Sequence, residues 1–372
     1  MMKLNYDDIT IVPERKTDIC SRSQCNPYDE DAFLPIFASC MSSVVSLDNV
    51  KDFNDARIRT VIPRSYSLQK RADYLRYNYN GKNFVAFSLA EVEKIFLERS
   101  LTPGINPFKI CIDLANGHMA CLIDTVKKLK EKYGDKLIIM TGNIANPETY
   151  RDYEEAGVDY CRVSIGTGNV CSTSSNTAVH YPVFSLLKEI YTIKKEIGGK
   201  CKIIADGGIH GFRDIQKALI YADYVMIGSL FNKAIESAGK TTYGTFYWNI
   251  RGKKLARPIK TLLYFGREVP KEKYGEVMRL IKDGKLTVWK ELFGMSTKIA
   301  QALINKANST ETKNLKTSEG LLKHQKVEYT LAGWAENETD FLRSAMSYTN
   351  SKDLGNYKES QWVQISKIAY NN

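Results

Sequence analysis

The sequence predicts an α/β protein built as a (β/α)8 TIM barrel. Between residues 34 and 229, eight short apolar segments rich in β-branched residues alternate with helix-like stretches. Continuous apolar runs of this kind are typical of strands buried on both faces of a parallel sheet. Polar and glycine-rich residues directly follow several of these segments, where the active sites of such barrels lie. A doubly wound open sheet is the competing interpretation, because it has the same alternation.

The eight predicted strands and the helices between them fill about 200 residues, which suits a single barrel. The strands are Leu34–Met41, Thr60–Arg64, Asn83–Ser88, Lys109–Ala115, Lys136–Ile144, Tyr160–Ile165, Lys202–Asp206 and Tyr224–Gly228. Among the helices, Leu122, Val126 and Leu129 recur at helical spacing. Another helix is predicted to start at Asn146-Pro147, since asparagine is a favoured N-cap and proline suits the first helical position.

The alternation stops beyond Gly239. Residues 240–292 are aromatic and basic with turn signals, and we expect them to form an insertion from the barrel rim. Residues 293–330 are polar and rich in lysine, a composition that suits a flap over a site but also a plain surface loop. The sequence therefore predicts one catalytic domain over residues 1–372, with an insertion at 240–292 and a flap-like segment at 293–330.

Composition excludes several classes of protein. Of the 372 residues, 43% are hydrophobic and 26% are charged, which excludes disordered and fibrous architectures. No apolar run approaches the ~20 residues of a membrane helix, and the N-terminal residues contain no apolar signal segment. The eight cysteines form no CxxC pair and are expected to be buried, reduced thiols. These features predict a soluble cytoplasmic protein with no membrane partner.

The positive charge is concentrated in one stretch. The net charge is +11, and Lys240–Lys326 contains 19 Lys and Arg against 7 Asp and Glu. Such a segment near a site favours anionic ligands such as phosphates, or nucleic acid. A solvated surface with surplus lysine explains the same composition equally well.

Glycines at two adjacent strand ends predict a phosphate site. Gly207-Gly208 follows the seventh predicted strand, and Gly228-Ser229 follows the eighth. Loops after these two strands commonly bind phosphate through backbone N–H groups, and glycine permits close approach. Asp206, just before the first pair, could accept hydrogen bonds from ribose hydroxyls, or it could simply cap a helix.

The loop Gly166–Thr173 contains the strongest candidate nucleophile, Cys171, in a glycine-rich segment after the sixth predicted strand. A nucleophilic cysteine acts as its thiolate, so nearby positive charge or N–H dipoles must lower its pKa. Thr173 could act as a hydroxyl relay at the same centre. Glu319 is expected to be a surface residue on the sequence pattern alone. No histidine has a partner at metal-ligand spacing, so metal-dependent hydrolysis is not expected.

The same loop, read as Gly-Thr-Gly-Asn-Val-Cys-Ser-Thr, resembles the catalytic cysteine loop of the IMP dehydrogenase/GMP reductase family. The order and spacing of the matching motifs make this resemblance specific, and it extends over most of the chain outside residues 240–292. The other segments that resemble the family are Leu4–Ile9, Ala38–Met41, Ile204–Ile209 and Val225–Ser229.

Three segments are more similar to the reductase branch than to the dehydrogenase branch. They are Ile110–Gly117, Phe293–Thr297 and Thr317–Gly320. There is also no space for the regulatory domain pair that most dehydrogenases insert in the barrel. The resemblance implies NADPH-dependent reductive deamination of GMP to IMP, with release of ammonia, in a homotetramer.

The resemblance also implies roles for individual residues. Cys171 would attack purine C2, while Thr173 and Glu319 would deliver a proton to the departing amine. The nucleotide would be bound by Asp206, Gly207, Gly208, Gly228, Ser229, Met295, Ser296 and Gly320. The cofactor side would be lined by Arg64, Ser88, Asp113 and Asn116. A monovalent cation such as K⁺ is an expectation at Gly166, Gly168 and Cys171.

Some positions depart from the family pattern. Asn169 stands where the family usually has serine, Ser42 where it has aspartate, and Lys316 where it has arginine. Lysine cannot form the bidentate fork of arginine. These departures, with the insertion, favour a divergent member that acts on a related purine nucleotide. Two alternative functions also stay open: an IMP dehydrogenase that converts IMP to XMP with NAD⁺, and a non-catalytic barrel that binds nucleotides or nucleic acid. Nucleic acid is not the expected partner.

Overall fold

The computed structural model describes residues 2–78, 81–99, 101, 107–250, 253–259, 269–308, 317 and 320–365. Its strands are β1 (Ile9–Ile11), β2 (Ile36–Ala38), β3 (Arg59–Ile62), β4 (Phe84–Phe87), β5 (Phe108–Asp113), β6 (Leu137–Ile144), β7 (Tyr160–Val163), β8 (Lys202–Asp206), β9 (Tyr224–Ile227), β10 (Thr241–Ile250), β11 (Lys253–Ile259), β12 (Leu286–Phe293), β13 (Leu322–Lys326) and β14 (Trp362–Gln364).

Strands β2 to β9 form a closed parallel barrel in chain order. The barrel closes because β2 pairs with β3 on one side and with β9 on the other. The predicted (β/α)8 barrel is therefore confirmed, and the open doubly wound sheet is wrong. All eight carboxyl ends meet at one rim, the position of active sites in this fold.

The α-helices are α1 (Val50–Asp55), α2 (Leu68–Asp73), α3 (Leu89–Val92), α4 (Ala120–Tyr133), α5 (Thr149–Ala156), α6 (Thr173–Thr177), α7 (Val183–Ile197), α8 (Phe212–Leu219), α9 (Ser229–Asn232), α10 (Tyr274–Lys282), α11 (Lys298–Ala307), α12 (Leu331–Tyr348) and α13 (Leu354–Tyr357). Helices α2 and α3 continue into π-helical turns, Tyr74–Asn78 and Glu93–Glu98. No helix in the described ranges is long and apolar enough to span a bilayer.

The helix predicted from Asn146-Pro147 begins at Thr149 instead. The side chain of Asn146 accepts a hydrogen bond from the N–H of Glu148 and forms a turn before the helix rather than its N-cap. The predicted apolar face of α4 is confirmed, since Leu122, Val126 and Leu129 are fully buried. Such a face packs the helix against the sheet by removing apolar area from water.

The barrel interior is filled at its lower end by four aromatic rings: Phe37, Phe84, Tyr160 and Tyr224. Phe37 contacts Phe84 and Tyr224 edge to face, with centroids 5.7 and 5.2 Å apart. Edge-to-face contact is a favoured geometry for aromatic pairs. The interior is thus a packed core, and open space remains only toward the carboxyl rim.

After β9 the chain forms a second sheet of four antiparallel strands, in the order β11, β10, β12, β13. Helix α10 packs on this sheet through Val277 and Met278, which join a small apolar cluster with Leu286 and Val288. Strands β10 to β12 lie within residues 240–293, and β13 lies within the flap-like segment. The two segments that the sequence separates are therefore joined by β12–β13 pairing.

One buried carboxyl between barrel helices stands out. Glu338 on α12 is fully buried, and Gln216 Nε2 on α8 donates to its two oxygens at 3.3 and 3.5 Å. Burial raises the pKa of Glu338 well above its ordinary value, and the Gln216 hydrogen bond only partly opposes this. Nearby, Gln216 Oε1 and the Tyr357 hydroxyl have no hydrogen-bond partner among the described residues.

We expect Glu338→Gln to stabilise the protein at pH 8 by about 1–2 kcal/mol. The wild-type protein loses stability as the pH rises above the pKa that Glu338 has in the unfolded chain. Above that pH the carboxyl ionises freely only in the unfolded state. The amide carries no charge and can pair with Gln216. Thermal unfolding at pH 5 and pH 8 tests this, with the exposed Glu336→Gln as control. A gain in Tm at pH 5 as large as that at pH 8 would contradict it.

Candidate active site

Two adjoining cavities open at the carboxyl rim of the barrel. The larger, about 310 Å³, is lined by residues at or just after the carboxyl ends of six barrel strands and by Gly294–Ser296. The smaller, about 70 Å³, lies at the ends of β8 and β9. Asp206, Gly207, Gly168 and Val170 line both, so one compound ligand could occupy the two together.

Cys171 lies at the wall of the larger cavity and is partly buried. Its thiol donates to Thr173 Oγ1 at 3.3 Å. The loop is held by the Cys171 N–H, which donates to the Gly168 carbonyl at 2.9 Å, and by Ser174 Oγ, which donates to the Gly166 carbonyl at 2.8 Å. Gly166 has φ +78°, and a side chain there would collide with Ser174. The glycine therefore permits the turn that presents the thiol.

The monovalent cation expected at Gly166, Gly168 and Cys171 stays a prediction. The carbonyls of Gly166 and Gly168 accept hydrogen bonds from Ser174 and Cys171. The part of the chain that the structure describes contains no cluster of three His, Cys, Asp or Glu suited to a metal ion.

The smaller cavity is lined by the predicted phosphate residues Gly207, Gly208, Gly228 and Ser229. Gly207 and Gly208 have φ +104° and +73°, conformations that favour glycine. A side chain at Gly228 would press on Met41 Sδ at 2.6 Å. Ser229 is the first residue of α9, where backbone N–H groups have no partner within the helix. The arrangement can offer N–H donors to a small anion.

A buried ion network forms the floor between β5, β7 and β8. Arg162 donates to Asp113 Oδ1 at 2.8 Å and to Asp206 Oδ2 at 2.8 and 2.9 Å. Asn143 Nδ2 donates to the same oxygen of Asp206 at 2.8 Å, and Arg64 Nε donates to Asp113 Oδ2 at 3.1 Å. No hydrogen bond to Asp206 Oδ1 is seen within the described ranges, so that oxygen can accept from a ligand.

Charge sets the ionisation of this network. Burial alone would raise the pKa of Asp113, but Arg64 and Arg162 outweigh it and lower that pKa to about 2. Burial alone would lower the pKa of the Arg162 guanidinium, but Asp206 and Asp113 help to raise it well above its usual value. Asp113 and Arg162 are therefore both ionised throughout the physiological range.

Met295, Ser296 and Gly320 lie near the cysteine. Met295 and Ser296 line the larger cavity, and Gly320 pairs with Cys171 in an antiparallel bridge. A side chain at Gly320 would collide with Thr297 Cγ2 at 2.7 Å. Glu319 lies outside the described residues, and it directly precedes Gly320 in the chain.

Two predicted cofactor residues do not line either cavity. Ser88 is the N-cap of α3: its hydroxyl accepts from the Glu91 N–H, and its own N–H donates to the Glu91 carboxylate. Asn116 is exposed, and its side chain accepts from the His118 N–H at 3.0 Å. Arg64 and Asp113, in contrast, do line the larger cavity.

The sequence patterns did not single out three residues of the site: Ser39, Asn143 and Arg162. Ser39 lines both cavities after β2, and Asn143 binds Asp206. A signal for Arg162 was present, because arginine inside an apolar strand is rarely buried unless paired. Ser39 and Asn143 lie among the last three residues of the predicted strands Leu34–Met41 and Lys136–Ile144, close to the strand ends that mark the site in this fold.

The expectation that all cysteines outside the loop are buried is wrong in two cases. Cys20 and Cys121 are exposed, whereas Cys25, Cys40, Cys111, Cys161 and Cys201 are buried. Cys121 lies on the solvent side of the first turn of α4, next to the buried Leu122, and Cys20 lies in a surface turn. Burial of these two cysteines was inferred from the scatter of cysteines along the chain, which does not show whether a given side chain faces the core or solvent.

Asp113 should make the stability of the protein sensitive to acid. Its folded pKa of about 2 lies below the unfolded value, so its contribution is present above pH 4 and lost as pH falls toward 2. We expect Asp113→Asn to be less stable than wild type at pH 6, with the gap narrowing by about 2 kcal/mol on acidification to pH 2. Urea unfolding across this range measures it, and a gap that stays constant would contradict the assignment.

The comparisons with known proteins agree with this geometry. The model of the IMP dehydrogenase / GMP reductase domain matches residues 108–284. GMP reductase of Vibrio vulnificus is 31% identical over 252 residues, 64% of this chain and 71% of that protein. The GMP reductases of Clostridium acetobutylicum and Staphylococcus epidermidis are each 27% identical, over 99% and 100% of this chain and 97% and 99% of their own lengths. The chain therefore belongs to the IMP dehydrogenase/GMP reductase family of oxidoreductases.

Proposed function

We propose that this enzyme reduces GMP to IMP with NADPH and releases ammonia. The observation that supports the proposal most strongly is the position of Cys171. Its thiol, hydrogen-bonded to Thr173, lies on the wall of a cavity that adjoins a glycine-lined pocket for a small anion. A nucleotide has these two parts: a base with an electrophilic carbon and an anionic phosphate.

The substrate is oriented from its phosphate end. The 5′-phosphate accepts N–H donors in the smaller cavity, at Gly207, Gly208, Gly228 and Ser229. The free oxygen of Asp206, between the two cavities, accepts from ribose hydroxyls. The purine then lies in the larger cavity against Met295 and Ser296, with C2 toward Cys171. Fixing one end of the substrate makes attack at the other end effectively unimolecular.

The thiolate of Cys171 attacks C2, and a C–S bond forms. The C2–N bond then breaks, and its electron pair leaves with the amine. Thr173 and Glu319 deliver the proton that lets nitrogen depart as neutral ammonia, a far better leaving group than amide ion. The C–S bond breaks as the C2–H bond of IMP forms. The balance is GMP + NADPH + H⁺ → IMP + NH₃ + NADP⁺.

Two residues fit the cofactor. When bound, NADPH supplies the hydride that replaces the amine at C2. Arg64 and Asp113, which form an ion pair, line the larger cavity but not the smaller one, so the pair lies where a second ligand beside the base would bind. A guanidinium suits phosphate, and a carboxylate accepts from amide or hydroxyl groups.

The homotetramer and the cytoplasmic location remain predictions from the sequence.

A two-by-two assay tests the reaction. We expect oxidation of NADPH only when GMP is added, and no formation of reduced nicotinamide from IMP and NAD⁺. The absorbance of reduced nicotinamide follows both directions. Cys171→Ala should lose at least about a thousandfold in rate, because it removes the only group that forms the bond to C2.

Other results would assign a different function. Turnover of IMP with NAD⁺ would identify the dehydrogenase instead. No turnover with either pair, together with nucleic-acid binding that falls steeply with salt, would favour the non-catalytic barrel.

Alkylation tests the place of the nucleotide independently of turnover. At neutral pH, iodoacetamide should label the three accessible thiols, Cys20, Cys121 and Cys171, and GMP should protect Cys171 alone. The two exposed cysteines lie outside the cavities and serve as internal controls. Peptide mass spectrometry reads each site. Equal labelling of Cys171 with and without saturating GMP would contradict the proposed binding mode.

A further inference from the structure

We infer that Lys323, through Asn169, is a positioning residue for the substrate phosphate and for the cysteine loop. This inference rests on the proposed function and names a residue that the family motifs do not. Lys323 Nζ donates to the Asn169 carbonyl at 2.6 Å and to Asn169 Oδ1 at 2.8 Å. The two residues are 154 positions apart in the chain.

This contact is one of several between the cysteine loop and the segment that enters β13. Gly320 pairs with Cys171, and the Leu321 N–H donates to the Val170 carbonyl at 2.9 Å. On its other side, the backbone of Lys323 pairs with Leu292 of β12. Lys323 therefore connects an anchored strand to the loop that presents the thiol.

The charge of Lys323 lacks a counter-ion among the described residues. It is partly buried, and no ion pair of its ammonium with a carboxylate is seen within the described ranges. Both of its acceptors are neutral oxygens. A partly buried cation without an opposite charge is unfavourable unless an anion approaches it.

Asn169 lines the smaller cavity together with Gly207, Gly208 and Ser229. Because Lys323 holds the amide oxygen, the amide NH₂ group is the end left to donate to a ligand. A phosphate there would accept a hydrogen bond from this NH₂ group and would be attracted by the Lys323 ammonium behind it. Asn169 stands where the family usually has serine, and the pair replaces that hydroxyl by a donor backed by positive charge.

The test measures binding of GMP and of guanosine by calorimetry without cofactor, so that no turnover is needed. We expect Lys323→Met to weaken GMP binding by about ten- to a hundredfold and guanosine binding by less than threefold. Lys323→Arg, which keeps the charge, should recover most of the affinity. Lys326→Met, an exposed lysine of the same strand, should bind as wild type.

Asn169→Asp is the second variant. It keeps a partner for Lys323 but cancels its charge and removes the donor, so we expect the same selective loss for GMP. Hydrogen exchange on the ligand-free proteins provides a readout independent of nucleotide. The Leu321 amide should exchange faster in Lys323→Met and as wild type in Lys326→Met.

Two results would overturn the inference: wild-type GMP affinity in Lys323→Met, or equal losses for GMP and guanosine, which would mark a merely structural role. Failure of the proposed reaction is a separate result. A wild-type protein that binds GMP but does not oxidise NADPH contradicts the reaction and leaves the binding comparison intact. If the wild-type protein binds no GMP, hydrogen exchange of the Leu321 amide in Lys323→Met still decides whether Lys323 holds the cysteine loop.

Discussion

The candidate site depends on one buried guanidinium. Arg162 pairs with Asp113 on one side and with Asp206 on the other, beneath the larger cavity. Removing one partner of such a network leaves a buried charge unpaired, which costs about 3–5 kcal/mol. Arg162 occupies Oδ2 of Asp206 and Oδ1 of Asp113, and Arg64 donates to the other oxygen of Asp113. Arg162 thereby fixes the two carboxylates that the proposal assigns to the ribose and to the cofactor.

Barrel closure explains why residues distant in the chain share one cavity. Parallel strands in a closed barrel all present their carboxyl ends at one rim. Ser39 after β2, Arg64 after β3 and Asp206 at the end of β8 therefore meet, although more than 160 positions separate the first from the last. The aromatic core below them closes the floor. Met295 and Ser296, which follow β12 of the second sheet, complete the wall.

The sequence predicted the features that depend on local pattern. Apolar runs marked the barrel strands, and glycines marked the turns at Gly166, Gly207 and Gly208, because positive φ limits the residues that fit. The proximity of Cys171 and Thr173 could also be predicted, since two residues so close in one short loop cannot lie far apart. Features that depend on tertiary contacts could not be predicted. The pairing of β13 with the cysteine loop, and hence Lys323, requires the folded chain.

Contacts of single side chains were also beyond the sequence. The family resemblance assigned Ser88 to the cofactor side, and in the structure its hydroxyl caps α3. A serine at a strand end serves either purpose, and only its contacts decide. Cys121 was expected to be buried, but it lies on the solvent side of α4. Glu319 lies outside the described residues, so its role as proton donor depends on the resemblance and on its place before Gly320.

The central claim is that one nucleotide spans both cavities, with its phosphate in the smaller cavity and its purine C2 against the thiol. A crystal structure of the complex with GMP tests this directly. We expect phosphate oxygens within hydrogen-bond distance of the Gly208 and Ser229 N–H groups, and C2 about 3–3.5 Å from Cys171 Sγ. A phosphate bound elsewhere, or a purine turned away from that sulfur, would contradict it.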